Sequence, residues 1–240
     1  MRICLLINLM APMNTKIDHF LALLKDYSSP NVFNPWNEVD PENDLSDESP
    51  LIRARQLNTY LNERRGKAKY ILMGEAIGYQ GGHFSGIAMT SERILLGHMK
   101  GKGIAPENIF TSILPNRTSR EEVRPIGFTE PTASIVWGCL LSLGIDPRSF
   151  VIWNTFAWHP VNPEKGMLSN RKPTDDELAS GIPVLESFLA LFPEAEVVAV
   201  GKVAEKELQN LGIDCLEVRH PANGGAGKFR RQMGEIVSAG

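Results

Sequence analysis

From residue 67 onward, short apolar runs alternate with segments of helical periodicity, and this alternation constrains the fold more than any other feature of the 240-residue chain. Runs near 69–73, 109–113, 149–154, 196–200 and 214–218 have the length and apolarity of strands buried on both faces of a parallel sheet. Between them helices are expected near 90–100, 131–143, 174–192 and 202–211, with a last one over 227–237. Thr174 with Glu177 three residues on spells a capping box, and Gly144 and Gly212 stand just past two of the helices. The expected fold is α/β, with a central mostly parallel sheet of four to five strands.

Upstream, Ile17, Phe20, Leu21 and Leu24 fall at helical spacing until Ser28-Ser29-Pro30, and Leu51 to Leu61 mark a second helix closed by Gly66. Residues 30–50 hold Pro30, Pro35, Pro41 and Pro50 and, from Glu38 to Glu48, six acids and no base. That composition predicts a solvated loop. One domain over 1–240 is expected, residues 1–66 forming an extension packed on a core over 67–237.

A hydrophobic content of 42% with 22% charged residues is ordinary for a globular protein. The apolar stretch 3–10 is too short to span a membrane, is broken by Asn8 and shows no cleavage site, so a cytoplasmic protein without membrane contact is expected. Cys4, Cys139 and Cys215 form no Cys-x-x-Cys pair, so neither a disulfide framework nor a metal cluster is spelled out, and buried thiols are expected. The net charge of −3 argues against a basic coat, yet Arg219 to Arg231 holds four cations and no acid.

Ligands of open parallel sheets bind outside the carboxyl ends of the strands, so the groups that follow the predicted strands should share one crevice. These are Gly74-Glu75, Asn154, Gly201-Lys202 and Arg219-His220-Pro221. The glycine-rich stretch 74–86 suits close backbone approach to a ligand. A carboxylate at Glu75 could hold a water or a developing positive charge, or simply cap a helix. Phe84 could stack on a flat ligand or fold back on the core. Asn154 pairs a donor with an acceptor, as a planar amide edge requires, or makes a turn. His220 could donate to an oxyanion, and its loop of small residues running into a helix with nearby cations suits phosphate. The long loop 155–173 should wall the crevice. No Walker phosphate loop and no Gly-x-Ser-x-Gly elbow is present, and His83, His159, His220 and Glu75 lack the spacing of a metal site.

Taken together, these motifs resemble the uracil-DNA glycosylase superfamily. Gly74-Glu-Ala-Ile-Gly78 is similar to its first motif in the form used by the iron-sulfur branch (family four), and the following Gly82 to Ala88 is similar to the loop that carries a stacking phenylalanine. Asn154 to Pro160, with Ser169-Asn-Arg-Lys-Pro173 and Glu177, resembles the asparagine motif, and His220-Pro-Ala222 the His-Pro-Ser motif. The resemblance covers about 67–235. In the iron-sulfur branch, cysteines would stand at Trp158, at Gly181 and in a pair before the strand, so no cluster, no other cofactor and no metal is expected. Ile77 replaces a proline and Ala222 a serine.

The resemblance implies a three-layer α/β/α sandwich that flips a damaged base out of DNA and hydrolyses its N-glycosidic bond. Glu75 and His220 would be catalytic, and Gly74, Ala76, Phe84 and Asn154 would bind the base. Pro221, Ala222, Asn223, Lys228, Arg230 and Arg231 would hold DNA, the expected partner of a monomeric enzyme. The alternatives are a binding module that lost turnover and a hydrolase of small nucleotides or modified bases, the latter suited to an acidic segment 38–48 that repels DNA.

Overall fold

A computed structural model describes residues 15–239; Cys4 and the stretch 3–10 lie outside the described residues. The chain opens with α1 (Thr15–Asp26), β1 (Val32–Phe33), α2 (Ser49–Arg64) and β2 (Tyr70–Ala76). Short helical turns follow: α3 (Gly82–Ser85), α4 (Glu92–Leu95), a 3-10 turn (Lys100–Lys102) and α5 (Pro106–Ile109). Then come α6 (Pro131–Ser142), β3 (Phe150–Phe156), β4 (His159–Pro160), α7 (Asp175–Leu189), β5 (Glu196–Val200), α8 (Lys202–Asn210), β6 (Leu216–Val218) and α9 (Ala226–Ala239).

The central sheet has four parallel strands in the order β3-β2-β5-β6. Right-handed crossovers from β2 to β3 and from β3 back to β5 place α6 and α7 on opposite faces. Accordingly Trp137 of α6 packs on Phe150, whereas Phe188 of α7 stacks on Trp153, whose side chain leaves β3 on the other face. With α8 against β5 and α9 against β6, the sheet is the middle layer of an α/β sandwich.

The outer edge of β3 is covered by α2. The Tyr60 hydroxyl accepts the Ile152 N–H at 2.8 Å, and Arg64 Nε donates to the Phe150 carbonyl at 2.9 Å. Side chains thus satisfy backbone groups that an open edge would leave to solvent or to another chain. Arg64 is fully buried and donates to carbonyls, among them those of Ile109, Asn108 and Pro147. Burial pulls its pKa down to about 10, and the nearby Glu63 and Asp146 offset this only in part.

Three expectations are corrected. Residues 109–113 are not a strand, because Arg64 takes the carbonyls of Asn108 and Ile109 while the Glu63 carboxylate accepts the Thr111 and Ser112 N–H groups, each at 2.7 Å. The helix expected over 90–100 shrinks to α4, because the chain turns at Gly97 with φ +81°. Residues 30–50 are not a solvated loop: Val32, Phe33, Trp36, Asp40 and Asp44 are buried, and β1 pairs antiparallel with β4. Asp44 meets Arg53 of α2 at 2.6 Å, and Asp40 stands 3.2 Å from the buried His83. These two acids therefore face inward, Asp44 paired with Arg53 and Asp40 against His83, so the segment presents no acidic screen of six charges. Cys139 is buried and Cys215 half-buried. Among the described residues no helix is long and apolar enough to cross a membrane.

Candidate active site

The parallel register sets Gly74 of β2 beside Asn154 of β3 at the carboxyl ends of both strands. A methyl group at position 74 would lie 2.5 Å from the Asn154 amide, closer than any packed contact, so only glycine leaves room for that side chain. Oriented so that its neighbours are satisfied, the Asn154 amide accepts the Ile77 N–H at 3.3 Å and donates to the Trp153 carbonyl at 3.1 Å. One N–H and one oxygen lone pair remain. Both fixed bonds oppose rotation of the amide, so donor and acceptor keep their places.

Ile77 is the residue where the resemblance expects proline. Its N–H donates to the Trp158 carbonyl at 3.2 Å as well as to Asn154, and its side chain is buried against Gly82. A proline would forfeit both hydrogen bonds. The loop is here held by packing and by a backbone donor rather than by a ring.

Asn154 and Gly74 line a cleft of about 380 Å³ together with Glu75, Ala76, Met89 and His220. His220 comes from the loop between β6 and α9. Its Nδ1 accepts the Ala222 N–H at 3.1 Å, so the neutral ring carries its proton on Nε2. Burial, with Arg219 adding to it, lowers the pKa and keeps the ring neutral. Glu75 is half-buried. Burial raises its pKa, whereas the nearby Lys172 favours its charged form. Lys172 and Asn170 bring the loop 155–173 to the cleft wall, and the Tyr79 N–H donates to Asn170 Oδ1 at 3.0 Å, clamping the glycine loop to it.

Of the expected base-binding residues, Gly74, Ala76 and Asn154 meet in this cleft. Phe84 does not. It is fully buried, stacked on Phe128 at 4.1 Å and covered by His83 at 4.3 Å, so neither ring face is open to a ligand. Met89 lies in the cleft instead, its Sδ–Cε end over Gly74 and its backbone in the left-handed region at φ +42°. A methionine that fills a cleft beside a glycine has no periodic or motif mark, which is why the sequence reading missed it. Glu130 was missed too: it stands immediately before Pro131 at the start of α6 and so reads as a cap.

The expected DNA contacts are split. Ala222 and Asn223 border depressions that adjoin the cleft through His220, Pro221 is buried behind them, and Lys228, Arg230 and Arg231 are exposed on α9. Arg231 pairs loosely with Glu235 at 3.7 Å. His83 and His159 lie elsewhere, their Nδ1 atoms 3.0 Å apart and both rings buried. Where the iron-sulfur branch would place cysteines, Trp158 stacks on Tyr27, just past α1, at 3.7 Å, and a methyl at Gly181 would touch the Trp158 ring at 3.6 Å. Neither position offers a thiolate or room for a cluster, and among the described residues no three His, Cys, Asp or Glu side chains gather as metal ligands. A second cleft, between α7 and α8, is lined by Leu178, Ile182, Leu185 and Leu211 and holds none of these groups.

Residues 64–237 match the uracil DNA glycosylase superfamily. No curated protein matches the chain. Among solved structures it is similar to the crystal structure of wild-type SMUG2 of Pedobacter heparinus, with a TM-score of 0.59 at 14% identity over 95% of this chain and 98% of the other. At that identity the likeness bears on the fold alone.

Proposed function

The chain belongs to the uracil-DNA glycosylase superfamily, and from that premise we propose that it removes uracil, or a related deaminated pyrimidine, from DNA by hydrolysing the N-glycosidic bond. The observation that carries this reading is the pair of valences left on Asn154. A fixed N–H beside a fixed lone pair complements a carbonyl next to an N–H, the O4 and N3 edge of uracil. Cytosine presents an amino group and a bare nitrogen there, and pairing it would require the amide to turn and give up the bonds to Ile77 and Trp153.

The cleft lies at the tips of the strands, so the target nucleotide has to leave the base stack to reach it, a step costing a few kcal/mol. Met89 then covers the base beside Gly74. As the C1′–N1 bond lengthens, negative charge gathers on the pyrimidine O2 and positive charge on the sugar. Neutral His220 donates to the former through Nε2, and Glu75, whose charged form Lys172 favours against the effect of burial, stabilises the latter. The turn through Ala222 and Asn223, with the exposed cations of α9 behind it, faces the phosphates. No step requires a metal or a cofactor. Asp40 and Asp44 point inward, which leaves the acidic segment fewer charges with which to screen a small-nucleotide site from DNA.

The test is release of free base from single-stranded and G·U duplex oligonucleotides containing uracil, within a panel of other lesions. Wild-type protein should release uracil. Asn154→Ala and His220→Ala should each lower the single-turnover rate about 10²–10³-fold with an unchanged melting temperature. Wild-type protein that releases no base from any lesion would sink the reading.

A further inference from the structure

One carboxylate in the cleft has no part in the chemistry described so far. Glu130 borders the same cleft as Asn154, Glu75 and His220, and it shares a second, adjoining depression with His220 that Glu75 does not line. The neutral imidazole therefore has two carboxylates around its cleft.

The surroundings of Glu130 do not explain its charge. It precedes the first turn of α6, yet its side chain caps no N–H group. Its Oε2 is shut off from solvent and, among the described residues, meets no hydrogen-bond donor and no ion-pair partner. The room for that oxygen exists only because residue 81 is glycine, since any side chain there would overlap it. A buried oxygen without a donor is a cost that structural residues are normally rid of, whereas a group that must exchange a proton is often kept in this condition.

Resting on the glycosylase reading, we infer that Glu130 is a second catalytic carboxylate, which takes the proton of the water that attacks the sugar. The water oxygen bonds to C1′, the C1′–N1 bond breaks with its electron pair leaving on the pyrimidine, and one water proton passes to the Glu130 carboxylate. His220 holds the pyrimidine anion meanwhile, and the proton on Glu130 is returned to that anion or to solvent, which restores the carboxylate. Burial raises the pKa of both acids, but only Glu75 has a cation beside it. Lys172 favours the charged form of Glu75, which suits it to a developing cation. Glu130 is opposed only by its burial, which raises its pKa to about 7, near the value at which a base both accepts and releases protons readily. The base must be ionised to act, so activity should rise with pH through that value.

The experiment uses the full chain in single turnover on a uracil oligonucleotide from pH 5 to 9, with affinity measured separately. Glu130→Gln keeps shape and volume. It should lower the rate about 10²–10⁴-fold, abolish the rise in rate near pH 7, and leave DNA affinity within about twofold. Gly81→Ala, which displaces the carboxylate without removing it, should lower the rate at unchanged affinity and move the pH midpoint. A Glu130→Gln protein with the wild-type rate and pH profile, or one that loses affinity alone, overturns the role of Glu130 and leaves the glycosylase reading intact. Wild-type protein that releases no base overturns both.

Discussion

Asp44 is buried outright and Glu130 has one oxygen closed to solvent, but Asp44 meets Arg53 at 2.6 Å whereas, among the described residues, Glu130 meets no cation and that oxygen has no donor. The contrast extends to their neighbourhoods. Beneath the N-terminal segment Arg53 also donates to the Glu38 and Pro35 carbonyls, Asn43 donates to Asp40 at 2.8 Å, and His159 Nε2 lies 2.7 Å from the Ser169 carbonyl to which it donates. In the cleft Asn154 keeps a free donor and acceptor, His220 keeps a free Nε2–H, and Glu130 keeps an unmet oxygen. Buried polar groups are costly unless paired, so the first region spends most of its valences on holding the chain together and the second leaves several for a ligand.

Removing one partner in the paired region should therefore cost most. Arg53→Ala strands Asp44 in the interior and is expected to lower the unfolding free energy by about 3–5 kcal/mol, read by urea denaturation at pH 7. A loss below about 1 kcal/mol would show that the pair is not desolvated and would erase the contrast. In the cleft, by comparison, substitutions should affect activity more than stability. Gly74→Ala pushes the Asn154 amide aside, and a misplacement of about 1 Å is expected to lower base release roughly 10²-fold, while overpacking costs about 1–3 kcal/mol of stability. An unimpaired Gly74→Ala enzyme would mean that the position of Asn154 does not matter.

The smallest effect concerns acid. Burial tends to raise the pKa of Asp40, but the adjoining His83 ring, the Asn43 amide and the Glu42 N–H more than offset this and hold it below the usual carboxylate value. A depressed carboxylate contributes stability that is complete above its unfolded pKa near 4 and is lost as pH falls through the folded value. Asp40→Asn should thus be less stable than wild type at neutral pH, with the two converging as pH falls below about 4. Both proteins should also weaken from about pH 6.5 downward, because burial and the charge of His83 lower His159 to about 3, and the unfolded chain takes up a proton that the folded one refuses. Parallel stability curves at all pH values would show that the buried neighbours of Asp40 do not favour its charged form.

Patterning made the sheet legible. Four of the five expected strands, and the helices at 131–143, 174–192, 202–211 and 227–237, stand within a few residues of their places, because periodicity reports burial directly. The apolar run at 109–113 misled because its backbone is satisfied by two charged side chains, Glu63 and Arg64, which no local pattern reveals. The acidic run misled in a similar way. Composition records that charges are present, not that Arg53 and His83 wait for two of them.

By itself the sequence determined the α/β order of elements and the convergence of Gly74, Glu75, Asn154 and His220, since residues at the carboxyl ends of parallel strands necessarily share one end of the sheet. Only the tertiary structure decided that Phe84 is core, that Met89 covers the cleft in its place, and that Glu130 joins the site from the start of α6. The physical reason is that strand register is repeated every two residues and can be read along the chain. Which side chain fills a space between separate elements depends on how those elements pack, and that is settled only when the chain is folded.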